Sequence, residues 1–298
     1  MTKPNELVIN FHMTEACNYR CDYCYATWDT GCHSKELHRQ EGTVEKLIDQ
    51  LAAYFLSNNP LRQSMAYGSV RLNFAGGEPM LLGKRFSDAL FYARSKGFKT
   101  SIITNAAFLD DERLLELARN IDVLGVSFDT ADEIIASSIG RMDRKGGWIN
   151  DVKLAHIATM YRQLNPLGIF KVNTVVNQFN HHESLVDVMT MVNPDKWKLL
   201  RVLPIYDHIK PVSDRQFDAY VQRHELFSHL SVVEDNADMK NSYLMVNPEG
   251  CFYQNGEAQS GYDMSEPILS VGVEEAFSQV SFDSDVFFSR YESGVAYV

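Results

Sequence analysis

The chain has 298 residues, 45% of them hydrophobic and 22% charged, and its 28 basic and 39 acidic side chains leave a formal charge of −11. That balance excludes non-specific binding of nucleic acid polymers, which needs a basic face, but a small phosphorylated ligand needs only a few local Lys and Arg residues. Length and apolar content suffice for a large core without disulfide staples, and barrel folds take this many residues as one domain.

The five cysteines, Cys17, Cys21, Cys24, Cys32 and Cys251, are odd in number and three of them crowd into eight residues. This fits a reducing cytoplasm better than a secreted disulfide framework. The leading MTKPNELVINFH has no basic segment followed by an apolar core, and no apolar run approaches the roughly 18 residues of a membrane span. The expectation is a soluble cytoplasmic protein with no membrane partner.

The first strand-like run is Leu7–Met13, and directly after it comes Cys17-Asn-Tyr-Arg-Cys21-Asp-Tyr23-Cys24. Over Thr43–Phe55, Val44, Leu47, Ile48, Leu51 and Phe55 keep the i, i+3, i+4 spacing of a helix with one face on a core. The second strand, Ser69–Ala75, runs into Asn73-Phe-Ala-Gly76-Gly77-Glu78-Pro79. Helix Arg85–Lys96, strand Thr100–Thr104, helix Asp111–Arg119, strand Val123–Asp129 and helix Trp148–Leu164 follow. Then come strand Ile169–Val176, helix Ser184–Val192, strand Trp197–Ile205 and a helix from about Ser213 to Phe227, which opens with the capping-box pair Ser213 and Gln216. Beyond about residue 230 the alternation fades into loops, an extended Tyr243–Val246 run and a tail.

Six β/α repeats with short connections imply a parallel sheet with right-handed crossovers. The fold class is α/β, a partial (β/α)6 barrel over residues 1–230. Residues 231–298 are a C-terminal extension closing the active site within the same structural unit. In such folds chemistry gathers just after the strands, where the cysteine loop and the Gly76-Gly77-Glu78 turn both lie. So do Thr104, Asn105, Ser127 and Asp129, each of which alone is an ordinary cap or turn residue.

Three thiolates on one loop can grip a compact iron–sulfur cluster and leave one iron open for a substrate or cofactor. A closed zinc site, with His12, His33 or Cys32 as fourth ligand, is the alternative on this segment alone. Lys171 and Asn173 point the same way from the fifth strand. A lysine in an apolar strand of a parallel sheet is costly unless it meets an anion. Lys198 repeats the pattern in the sixth strand, while Arg141 and Arg71 lie near strand ends. Singly these are surface charges; together they outline a polyphosphate site. Cys32 and Cys251 are too few for a second cluster.

The CxxxCxxC pattern with aromatic Tyr23, followed by the Gly-Gly-Glu turn, resembles the signature of the radical S-adenosylmethionine (SAM) superfamily. The resemblance implies a [4Fe-4S] cluster on Cys17, Cys21 and Cys24 and SAM on the open iron. It also implies SAM contacts from Tyr23, Gly76, Gly77, Glu78, Thr104, Asn105 and Ser127, with Glu78 accepting from the SAM ammonium.

A narrower resemblance rests on Asn10-Phe-His-Met-Thr-Glu-Ala-Cys17, Ser-Ile-Gly-Arg141, Phe-Lys171-Val-Asn173-Thr-Val-Val-Asn, Trp197-Lys198 and Val-Gly-Val-Glu-Glu-Ala, from about residue 8 to residue 280. These look like the viperin family. Its members convert a nucleoside triphosphate to the 3′-deoxy-3′,4′-didehydro analogue, an antiviral chain terminator. By that likeness Arg71, Asn73, Arg141, Lys171 and Lys198 serve the nucleotide, and Asn10 and Asn173 its sugar. Tyr243 stands near the sugar radical as a proton or hydrogen-atom donor, although a core aromatic is the plainer reading of Tyr243 by itself. A flavodoxin- or ferredoxin-type electron donor and a monomer are further expectations. Three features depart from the animal family: there is no N-terminal membrane helix, Arg71 replaces Lys, and the chain ends at Tyr-Glu-Ser-Gly-Val-Ala-Tyr-Val before the tryptophan-containing tail that helps close the pocket. A different radical SAM substrate and a non-enzymatic metal-bearing module are the competing functions.

Overall fold

The computed structural model describes residues 5–24, 35–204, 209–255 and 262–292. Cys32 and His33, Ile205 at the end of the sixth strand-like run, and the final residues therefore lie outside the described residues. Among the described residues ten strands form one sheet: β1 Glu6–His12, β2 Ser69–Ala75, β3 Lys99–Thr104, β4 Val123–Ser127, β5 Ile169–Val176, β6 Lys196–Arg201, β7 Ser231–Glu234, β8 Leu244–Val246, β9 Cys251–Gln254 and β10 Asp263–Pro267. Their order is β10-β9-β8-β1-β2-β3-β4-β5-β6-β7. Strands β1 to β7 are parallel in sequence order, as expected of consecutive β/α units, and β8 joins the other edge parallel to β1.

The helices cover the outer face because their apolar stripes match it. In Thr43–Phe55 all five predicted core residues are buried. Boundaries moved where a cap decides them. The helix expected from Trp148 begins at Asp151, since the Asn150 side chain accepts from the Lys153 N–H. The Ser213–Gln216 capping box is present, and its helix covers Asp214–Arg223.

The extended run expected at Tyr243–Val246 is β8, while the loops and tail expected around it are corrected: the described residues after 230 also hold strands β7, β9 and β10 and the helices Ile268–Val271, Val273–Ser278 and Ser284–Glu292. These strands are three to five residues long, too short for an alternating pattern to register.

The inner face of the sheet carries the site. Register sets Val8 beside Arg71 and Asn10 beside Asn73, Lys171 beside Lys196, and Asn173 beside Lys198. Because side chains alternate along a strand, these polar residues share one face. Val8, Arg71, Val123, Lys171, Lys196 and Val232, from six different strands, line one cavity, so the sheet curls around it.

Candidate active site

The cysteine loop is fastened on three sides. The Gly77 N–H donates to the Thr14 carbonyl at 2.7 Å and the Glu78 N–H to the Ala16 carbonyl at 2.8 Å. The Arg20 N–H donates to the Gly140 carbonyl at 3.1 Å. From a third side the Glu36 carboxylate accepts from Thr14 Oγ1 at 2.9 Å and the Glu15 N–H at 2.8 Å. The glycines make these approaches possible. A Cβ at Gly77 would sit 2.2 Å from the Ala16 carbonyl oxygen, and one at Gly140 1.9 Å from that of Arg20. Gly77→Ala is therefore expected to displace the loop and abolish cluster loading. Anaerobic reconstitution followed by iron counting measures this, and full loading would show the contact to be dispensable.

Cys17, Cys21 and Cys24 line a cleft of about 340 Å³ together with Tyr23, Gly76, Gly77, Thr104, Asn105 and Ser127. N–H donors surround the sulfurs: the Tyr19 N–H is 3.4 Å and Asn105 Nδ2 3.6 Å from Cys17 Sγ, and Arg141 Nη1 is 4.0 Å from Cys21 Sγ. Burial pushes the Cys17 thiol up to about 12 and raises that of Cys21 as well.

Glu78 follows the two glycines directly. It is 0% exposed, and its carboxylate accepts from Thr104 Oγ1 at 2.8 Å, the Asn105 N–H at 2.7 Å and the Met80 N–H at 3.1 Å. Burial pushes its pKa up to about 7 against these bonds. Glu78 is a brace from the glycine turn to the end of β3, and Gly76 and Gly77 are what that turn presents to the cleft. Tyr23 is likewise engaged, its hydroxyl bonded to Asp129.

Arg141 stands apart from the other cations. It pairs with Asp129 at 3.2 Å, donates to the Ser127 carbonyl and lies over the Tyr19 ring. Its place is the cysteine end of the cleft. The remaining cations meet in a second cavity of about 90 Å³, lined by Arg71, Lys171, Lys196, Lys198 and Arg290 with Glu234 among them. The Lys171 ammonium makes no hydrogen bond or ion pair with another described residue. Burial and the neighbouring Lys198 hold its ammonium well below the usual lysine range. Burial also lowers Lys196 and Lys198 to about 8. Asn10 Oδ1 accepts from Asn73 Nδ2 at 2.8 Å, Asn73 Oδ1 accepts from Ser101 Oγ at 2.6 Å, and Arg71 Nη1 reaches Ser101 Oγ at 2.9 Å. Asn173 Oδ1 is buried without a partner. Asn10, Asn73, Lys171, Lys198 and Tyr243 border both cavities.

The description of the Radical SAM superfamily matches residues 11–174. An S-adenosylmethionine-dependent nucleotide dehydratase from Pseudoalteromonas ulvae is 52% identical over 98% of this chain and 95% of that protein. One from Psychrobacter lutiphocae is 37% identical over 96% and 95%. The chain belongs to the radical SAM nucleotide dehydratases. This bears out the viperin resemblance. Among solved structures, anSMEcpe with bound AdoMet superposes with a TM-score of 0.65 at 15% identity, over 95% of this chain and 82% of that one. SuiB bound to its precursor peptide gives 0.59 at 16%, and the chain spans only 65% of its length. At such identities these two show the fold alone.

The dehydratase has the residues for its family's cofactors. Three soft thiols face one cleft, with N–H donors around the sulfurs and a glycine turn opposite. Of the zinc alternative's fourth ligands, Cys32 and His33 lie outside the described residues. His12 is half-buried with Nδ1 on the Tyr253 hydroxyl at 2.7 Å, and desolvation lowers its pKa to about 4. The sequence reading missed Lys196, Glu234 and Arg290. The alternation that singled out Lys171 with Asn173 also pairs Lys196 with Lys198, so Lys196 was findable. Glu234 and Arg290 reach the cavity through β7 and the last helix, which carried no such signal.

Proposed function

We propose that this dehydratase acts on a nucleoside triphosphate, CTP, UTP or GTP, and forms the 3′-deoxy-3′,4′-didehydro analogue, an antiviral chain terminator. The observation that supports this reading is the shared border of the two cavities. Five cations lie on one side of it and three thiols on the other, with amide side chains and a phenol between. A triphosphate suits the cations, and it would offset the burial that lowers the pKa values of Lys171, Lys196 and Lys198. The ribose then falls between, within reach of Asn10, Asn173 and Tyr243.

Cluster-bound SAM, once reduced, supplies a 5′-deoxyadenosyl radical able to take H4′ of the ribose. Arg71, Lys171, Lys196 and Lys198 hold the phosphates. Asn10 and Asn173 orient the sugar, and the unpartnered Asn173 Oδ1 accepts from a sugar hydroxyl. Loss of the 3′-hydroxyl as water then needs one proton and one electron. Tyr243 holds the proton at the sugar, and the electron comes from a flavodoxin- or ferredoxin-type donor. Arg141, beside Cys21, serves the end of the nucleotide facing the cluster. Tyr23, Gly76, Gly77, Thr104, Asn105 and Ser127 shape the SAM side.

We take residues 1–230 and 231–298 as one unit working as a cytoplasmic monomer. No helix among the described residues is long and apolar enough to cross a membrane. The test is to offer every nucleoside triphosphate to the reconstituted enzyme and weigh the products. A didehydro product and SAM cleavage above the uncoupled rate are expected with CTP, UTP or GTP. If none of the triphosphates raises SAM cleavage, the substrate class is wrong.

A further inference from the structure

The cation cavity contains one group that works against anion binding. Glu234, at the end of β7, is 2% exposed, and its carboxylate faces the space where Arg71, Lys171, Lys196, Lys198 and Arg290 converge. A buried carboxylate there opposes any phosphate, and buried ion pairs often add little net stability. Its presence calls for another explanation, and its partners supply one.

Side chains from three separate segments end on this carboxylate. Lys198 Nζ, from β6, lies 2.6 Å from Glu234 Oε1. Arg290 Nε, from the helix Ser284–Glu292, donates to the same oxygen at 3.0 Å. The Tyr243 hydroxyl donates to the other oxygen. The partners also hold one another. Lys198 Nζ donates to the Tyr243 hydroxyl at 2.8 Å. The Arg290 guanidinium lies 3.6 Å over the Tyr243 ring, and its Nη1 donates to the Ser242 carbonyl at 2.7 Å. Tyr243 is thus gripped at its hydroxyl, its ring face and the preceding peptide. Burial alone would raise the pKa of Glu234, but Lys198 and Arg290 outweigh it and hold it at about 2. It is ionised across the working pH range.

We propose that Glu234 is a positioning residue for the dehydration: it fixes the Tyr243 hydroxyl and Lys198 before the nucleotide arrives, and it restrains the affinity of the cavity for phosphate. The inference rests on the nucleotide reading of this site and adds a role that no direct phosphate or sugar contact supplies. It has a signature that structural damage lacks. Removing the negative charge strengthens the pull on a triphosphate, because the same cations face one anion fewer. Removing the anchor lets the phenol rotate away from the reacting carbon, which slows turnover. Binding and turnover therefore move in opposite senses.

The experiment compares wild type, Glu234→Gln and Glu234→Asp as reconstituted holoenzymes. It records kcat and KM for the triphosphate that wild type converts, and Kd for that triphosphate without SAM. Glu234→Gln is expected to lower kcat roughly ten- to a hundredfold with KM and Kd below those of wild type. Glu234→Asp restores the charge, so Kd returns to the wild-type value. Its carboxylate sits one methylene further back, so kcat recovers only in part. A raised KM with unchanged kcat, or no change in either, overturns the inference. So does loss of cluster absorbance in both variants, which makes the residue structural. A wild type that cleaves SAM but converts no triphosphate sinks the substrate reading and this inference together. A wild type that converts one, beside a Glu234→Gln enzyme without the opposed shifts, sinks this inference alone.

Discussion

Lys171→Ala abolishes nucleotide-stimulated SAM cleavage while the cluster absorbance stays that of wild type. Lys171 projects from β5 into the cation cavity, and its ammonium has no hydrogen bond or ion pair with another described residue. Burial and Lys198 press its pKa well below the lysine range, so in the empty enzyme the residue is a cost. A phosphate oxygen reverses that, and a charge-assisted bond contributes about 1.5–3 kcal/mol, on the order of ten- to a hundredfold in affinity. The sign of the accompanying pH effect is fixed. A basic group with a depressed folded pKa binds fewer protons folded than unfolded, so the empty enzyme gains stability as pH rises from the folded value toward that of a free lysine. Nucleotide binding raises that pKa and takes up protons. Calorimetry in buffers of different ionisation enthalpy detects the uptake in wild type and should find it reduced in Lys171→Ala. Without nucleotide the variant should melt no lower than wild type. Retained stimulation by the triphosphate in Lys171→Ala would place the phosphates elsewhere.

Lys171 also marks what could be read from the chain alone. A lysine inside Phe-Lys-Val-Asn-Thr-Val-Val-Asn conflicts with its own strand, and that conflict is local, so sequence exposes it. The cysteine spacing and the Gly76-Gly77 pair are local too, and the structure sets them around one cleft. The purpose of the glycines was less visible. Their missing Cβ atoms make room for the backbone of residues 14–16, a contact between segments some 60 residues apart that no turn rule contains. The bonds of Glu78 were hidden for the same reason: a carboxylate after a strand gives no sign that Thr104 and the Asn105 N–H close on it. Arg141 belongs with Asp129 and Cys21 because residues 139–140 bond to the cysteine loop, whereas composition could only group it with the other cations. Glu234 lies at the extreme of this series. Nothing in Ser-Val-Val-Glu foretells that a four-residue strand returns beside β6 and meets an arginine 56 residues later.

The other large effect concerns the cluster. Cys21→Ala yields a protein that loads no [4Fe-4S] cluster and cleaves no SAM, whereas Cys251→Ala loads and cleaves as wild type does. The two thiols are both buried, so burial does not separate them. Cys21 Sγ has the Gly140 carbonyl and the Arg141 guanidinium within 4.0 Å and shares its cleft with Cys17 and Cys24. Cys251 begins β9, outside that cleft. Iron binds thiolate, not thiol. Without iron, burial holds the Cys17 thiol at about 12 and raises Cys21 too, so both are protonated at neutral pH and loading must release their protons. Loading therefore strengthens as pH rises and weakens as it falls, and a titration of cluster content against pH measures the slope. Arg141 lowers both thiols through its charge, so Arg141→Met should shift that loading curve toward higher pH. An unshifted curve would leave Arg141 with no part in holding the thiolates, and its pairing with Asp129 would then be its whole role at that end of the cleft.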